Sequence, residues 1–165
     1  MRWLWIDRFV AFESGRSATA VKALSAAEDH FADHFPGYPV MPAALLLEGL
    51  AQTGGILAGE ARGFREKVVL AKVPTATFHR DAVAGELLTY TAELVDIRDE
   101  GAVVRGRITA GTEPVAEAEI FFAHLDQNRS RQMFGDHNFV FSGELKQLLG
   151  LSALAPTRTE EGPAP

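Results

Sequence analysis

Cysteine is absent from the 165-residue chain, which excludes disulfide bridges, thiolate metal sites and a cysteine nucleophile. A surplus of positive charge is lacking too: 16 Lys and Arg stand against 22 Asp and Glu, for a formal net charge of −6. Broad nucleic-acid binding needs a basic footprint, so that class is set aside, although a total does not exclude a local basic patch. No apolar run reads as a membrane span. The longest, residues 40–58, carries Glu48, Gln52 and the pair Gly54-Gly55, and a carboxylate near the middle of a span is rare. This stretch reads as a buried helix, and no membrane association is expected. Near the start, the apolar residues Trp3 to Ile6 are cut short by Asp7 and Arg8. That run is too short for a secretory signal, so a cytoplasmic location is expected. No internal repeat is evident.

What remains is the composition of an ordinary globular domain, 47% hydrophobic and 23% charged, long enough to bury one core. Residues 3–25 read as two extended segments around the turn Glu13-Ser14-Gly15-Arg16. Residues 26–41 read as irregular, because Pro36, Gly37 and Pro39, with Pro42 following, block regular structure. Proline suits the first position of a helix, where its missing N–H is not needed, so a helix is expected from about residue 42 to 61. Leu45, Leu46, Leu47, Leu50, Ile56 and Leu57 surround it on most faces, and other elements should wrap it. Beyond it the period changes to two. Strands are expected at 68–78, 86–97, 102–110 and 114–123, separated by Asp99-Glu100-Gly101 and Gly111-Thr112-Glu113. In the last of these, Ala116, Ala118, Ile120 and Phe122 share one face while Glu117 and Glu119 take the other. The fold class is α+β, an antiparallel sheet around a central helix. One domain over 1–127 and an extension over 128–165 are expected. Within the extension, 128–131 reads as a linker, Phe139-Val140-Phe141 as a short strand or apolar anchor, 143–149 as a short helix, and 152–165 as disordered.

The segment that carries chemistry runs from His34 through the prolines to Glu48. Removing a proton beside a carbonyl calls for a base titrating near neutrality, which histidine provides. An enolate oxygen needs donors, and the free N–H groups of a helix's first turn supply them. A carboxyl that gives its proton to a departing hydroxyl must stay protonated, which burial among leucines would favour. The plainer alternatives stand beside this: a loop histidine with no task, and a helical glutamate that pairs or caps. Spacing alone leaves both open. His30 and His34 have the i, i+4 spacing of a metal pair, but two ligands in a loop make no site and no metal is expected. Asp136-His137 reads as surface polarity, Trp3 and Trp5 as core or dimer contacts, and 60–67 as a solvated helix end.

The run His34-Phe35-Pro36-Gly37-Tyr38-Pro39-Val40-Met41-Pro42, continuing to Glu48 and Ala51-Gln52, resembles the signature of the 3-hydroxyacyl-acyl-carrier-protein dehydratases, enzymes of the hot-dog fold. The likeness extends over roughly residues 3–123. It implies dehydration of a 3-hydroxyacyl thioester, on acyl carrier protein or CoA, to the trans-2-enoyl product in fatty-acid, lipid or polyketide synthesis, with no cofactor. By position it implies that His34 takes the C2 proton and that Glu48 helps the 3-hydroxyl leave. It further implies that the Val40 carbonyl orients the histidine, that Ala43 and Ala44 present the first-turn amides to the thioester, and that Gln52 steadies Glu48. A homodimer is implied, with histidine and acid from different protomers, and a trimer of dimers beyond it. Two departures are seen. Ala43 replaces the family glycine, placing a methyl where backbone and thioester approach. Thr75, Thr77 and His79 replace basic residues, which weakens attraction to an acidic carrier, with Arg62, Arg65, Lys67, Lys72 and Arg80 nearby to compensate. The alternatives are a hot-dog thioesterase or enoyl-CoA hydratase, and a non-catalytic module that binds acyl chains.

Overall fold

The computed structural model describes residues 4–125; the expectations for Trp3, Asp136-His137 and the segments beyond residue 125 lie outside them. The element order is β1 (Arg8–Glu13), β2 (Ser17–Ala23), α1 (His30–Asp33), α2 (Ala43–Ala61), β3 (Lys67–Phe78), β4 (Leu87–Ile97), β5 (Gly101–Ala110) and β6 (Glu113–Leu125). The strands form one antiparallel sheet in the order β1-β2-β4-β5-β6-β3. With α2 lying against β2, β3, β4, β5 and β6, this is the hot-dog arrangement.

Strand pairing follows the alternation in the sequence. Ala118 stands opposite Gly106 and Ile120 opposite Val104 on the face toward the helix, while Glu117 and Glu119 stand opposite Arg107 and Arg105 on the other. The inward residues Leu88, Tyr90, Ala92, Val104, Ile108, Ile120 and Phe122 join Leu46, Leu50, Ile56 and Leu57 of the helix in one core. Helix and sheet approach so closely that two glycines are required. A Cβ on Gly49 would come within 2.8 Å of the Tyr90 ring, and one on Gly106 would run into Leu50. Pro74, which has no N–H to give a ladder, lies within the register shift of β3 between Lys72 and Thr75, and β3 is an edge strand.

Helix α2 begins one residue later than the proline rule suggests: Pro42 is the N-cap, with extended backbone (φ −54°, ψ 133°), rather than the first helical residue. It ends where Gly63 (φ 63°) and Phe64 (φ 54°) turn into the left-handed region, and the Phe64 amide returns to the Gly59 carbonyl. The one-turn helix α1 was not anticipated. Its hydrogen bonds begin at Glu28 and Asp29, upstream of any proline, where nothing in the sequence forbids a helical turn.

Candidate active site

His34 closes α1 and opens a tight hairpin. Phe35 and Tyr38 exchange backbone hydrogen bonds of 3.0 and 2.9 Å, with Gly37 at φ 82° in the turn. The Val40 amide donates to the His34 carbonyl at 2.9 Å, and the His34 ring Nδ1 lies 3.1 Å from the Val40 carbonyl. The His34–Phe35 peptide is cis. A carbonyl accepts only, so in neutral histidine Nδ1 carries the proton and Nε2 keeps a lone pair, the form a base requires. The hairpin is tied to the loop before β4 at two points: Met41 N–H donates to the Ala82 carbonyl, and the Tyr38 hydroxyl donates to Asp81 at 3.2 Å.

The approach to α1 is tied by charge. Lys22 of β2, 6% exposed, lies 2.7 Å from Glu28 and 3.7 Å from Asp7. The Glu28 carboxyl also accepts from the Ser25 amide. Burial opposes ionisation of Glu28, but the Lys22 ammonium and the Ser25 N–H outweigh it and hold its pKa below the usual value. His30 is pushed the other way: burial lowers its pKa and favours the neutral ring, despite the Glu28 charge. Its ring packs on Phe31 and edge-on against Trp5, so it serves as core rather than as a ligand paired with His34. No group of three or more metal-ligating side chains occurs among the described residues.

Glu48 lies in the second turn of α2. Its Oε1 accepts from Gln52 Nε2 at 3.0 Å, and Gln52 Oε1 accepts from the Trp5 backbone amide at 2.9 Å. The second contact decides the first. Trp5 N–H is a donor, so the glutamine must turn its oxygen there and its NH2 toward Glu48. Gln52 is thus held by the segment before β1, 47 positions away in sequence, a link no local pattern reveals. The expectation that Glu48 is sunk among leucines needs correction: within one chain it is only half-buried, and Leu45 and Leu47 beside it are half-buried as well. The helix is wrapped fully from Gly49 to Gly59, while Ala43 and Ala44 are exposed. Pro42 offers no side-chain cap, and the Ala43 and Ala44 amides donate to no group among the described residues. No hydrogen bond or ion pair joins His34 to Glu48 within the chain.

The basic residues expected to compensate for Thr75, Thr77 and His79 are mostly engaged. Arg62 pairs with Glu66 and Asp99, Arg80 with Glu86, and Arg65 donates to the Arg62 carbonyl. Lys67 and Lys72 have no ion pair among the described residues.

The FabA-like domain family matches residues 1–128. The chain belongs to the FabA-like family. Among its FabA-like relatives, the 3-hydroxyacyl-acyl-carrier-protein dehydratase FabZ of Pelotomaculum thermopropionicum is 39% identical over 122 residues, covering 73% of this chain and 87% of that protein. FabZ of Listeria monocytogenes is 39% identical over 127 residues, covering 75% and 87%. Among solved structures, smu.793 from Streptococcus mutans bound to acetyl CoA aligns with a TM-score of 0.60 at 14% identity, over 72% of this chain and 88% of that one. The dehydratase heterocomplex ApeI:P from Xenorhabdus doucetiae aligns with a TM-score of 0.56 at 16% identity, over 70% and 96%. These two likenesses speak for the hot-dog fold alone.

Proposed function

We infer that this FabA-like chain is a hydro-lyase that converts 3-hydroxyacyl thioesters carried on acyl carrier protein into trans-2-enoyl thioesters in fatty-acid synthesis. The observation that carries the reading is the 3.1 Å contact of His34 Nδ1 with the Val40 carbonyl, in a chain 39% identical to FabZ dehydratases. It leaves Nε2 as the base.

In the proposed reaction His34 Nε2 takes the C2 proton. The C–H electrons form the C2–C3 double bond, the C3–O bond breaks, and Glu48 gives its proton to the departing hydroxyl, which leaves as water. Negative charge gathers on the thioester oxygen on the way, where the first-turn amides at Ala43 and Ala44 serve as donors. Gln52 occupies Glu48 Oε1 as a donor, so the transferable proton belongs on Oε2. The histidine and the acid that serve one substrate come from two chains. The half-buried acid, the exposed first turn of α2 and the edge strand β3, exposed over much of its length, support a homodimer, with a trimer of dimers as the larger assembly. No helix among the described residues is long and apolar enough to cross a membrane, and we place the reaction in the cytoplasm.

The test is turnover of 3-hydroxyacyl thioesters on acyl carrier protein and on CoA, following enoyl absorbance and free thiol together. Enoyl formation without thiol release is the expected result. Thiol release would make the chain a thioesterase, and bound substrate without either product would make it a binding module.

A further inference from the structure

An antiparallel sheet with one covered face should be apolar inward and polar outward along its whole length. The outer face here obeys that rule over only half its length. Toward one end it carries Arg105 opposite Glu119 and Arg107 opposite Glu117. Toward the other it carries a half-buried apolar cluster, bordered by Asp96 opposite Val103 and Lys72 opposite Phe121. Val103 stands opposite Phe121, and Val69 opposite Ala123. Phe121 lies over Gly101, where a Cβ would collide with its ring. Val95, the extra residue of the bulge between Leu94 and Asp96, stands at the rim and is 49% exposed.

The chain leaves the sheet beside this patch. β6 ends at Leu125, opposite Lys67, two residues beyond Ala123. Residues 126–165 follow, and from residue 129 they lie beyond the FabA-like match to 1–128. They include Phe139-Val140-Phe141, whose alternate aromatics share one side of an extended segment. Reach is ample: the residues from Leu125 to Phe139 span up to about 45 Å extended, whereas Phe121 is only about 13 Å back along β6.

We propose that the C-terminal extension folds back on its own chain and seats Phe139 and Phe141 on the apolar end of the outer face, over Val103, Phe121 and Ala123. An apolar patch on the otherwise polar face of a sheet marks a surface that something covers. A segment tethered beside it has a large advantage in effective concentration over any separate partner. The proposal does not depend on the proposed reaction.

Because the chain has no cysteine, engineered pairs give a clean test in the full-length protein. With Val103→Cys and Phe141→Cys together, mild oxidation is expected to close a disulfide within one chain, seen as a faster band on a non-reducing gel and a single cross-linked peptide by mass spectrometry. Thr91→Cys with Phe141→Cys, on the polar half, should leave both thiols free. Persistent free thiols in the first pair, cross-links joining two chains, or equal closure of the second pair would each overturn the proposal. As an independent readout, Phe139→Ser with Phe141→Ser should raise binding of a fluorescent apolar dye several-fold with circular dichroism unchanged. Unchanged dye binding in a folded variant would also overturn it.

Discussion

His34 and Glu48 are served differently by their own chain. The histidine is finished within one subunit: Val40 orients the ring, Pro36 and Pro39 stiffen the hairpin, and Asp81 and Ala82 tie it to the loop before β4. The glutamate is held on one side by Gln52 and is otherwise half open, in the part of α2 whose first turn faces out. A base needs a fixed tautomer, which local hydrogen bonds supply. An acid that must hold its proton needs a dry surrounding, and that takes another surface. The difference fits the proposed assembly of the site from two chains, with one half prebuilt.

The sharpest way to break that comparison is to remove each half. His34→Ala and Glu48→Ala should each lower kcat by about 10²–10⁴-fold, the usual worth of general acid–base groups, with circular dichroism and size-exclusion profile unchanged. Dissociating and mixing the two dead variants should then restore about a quarter of wild-type activity, since half the dimers regain one intact site. No recovery would mean that both groups act from the same chain. Next in size, Gln52→Leu should lower kcat about tenfold or more through loss of a hydrogen bond to Glu48, with KM little changed; equal activity would remove Gln52 from its positioning role. Gly49→Ala pushes a methyl against Tyr90 and the Trp5 carbonyl. It should cost about 1–3 kcal/mol, read as a fall in Tm, and should disturb Glu48 more than His34.

The smallest effect sharpens the histidine side. Burial depresses the pKa of His30 from its ordinary 6.5, so the unfolded chain binds more protons than the folded one below that value. This contribution to stability is present above pH 6.5 and is lost as pH falls below it. Glu28, also depressed, adds a loss at lower pH, below its ordinary 4.5. Tm should therefore fall from pH 7 to pH 5 in the wild type and fall less in His30→Phe. Parallel profiles would show that the ring has no part in acid sensitivity.

Much of this was legible from residue order. Five of the six strands and the long helix lie within two residues of their expected bounds, because alternation, turns and prolines act over short distances; β1 begins at Arg8, five residues later than the extended segment read from residue 3. The contact of His34 with Val40 spans six residues and was implied by the motif. Two readings were incomplete. The helix α1 lacks a side-chain cap and a long periodic pattern, so nothing announces it. The burial of Glu48 was inferred from neighbouring leucines, yet helix neighbours in sequence point in different directions. Leu46 is buried, but Leu45, Leu47 and Glu48 are only half-covered by the rest of the chain.

Residue order by itself determined the inward and outward faces of the strands, the start of α2 within a residue of Pro42 and the stiff proline-rich loop that presents His34, since each depends on backbone preference and nearest neighbours. Only the tertiary structure decided that Trp5 turns the Gln52 amide toward Glu48, that Lys22 anchors the run-up to α1 through Glu28, and that β3 crosses to the edge beside β6. Those contacts join segments far apart in the chain. Their formation rests on the whole sheet closing around one helix, which no short stretch of sequence encodes.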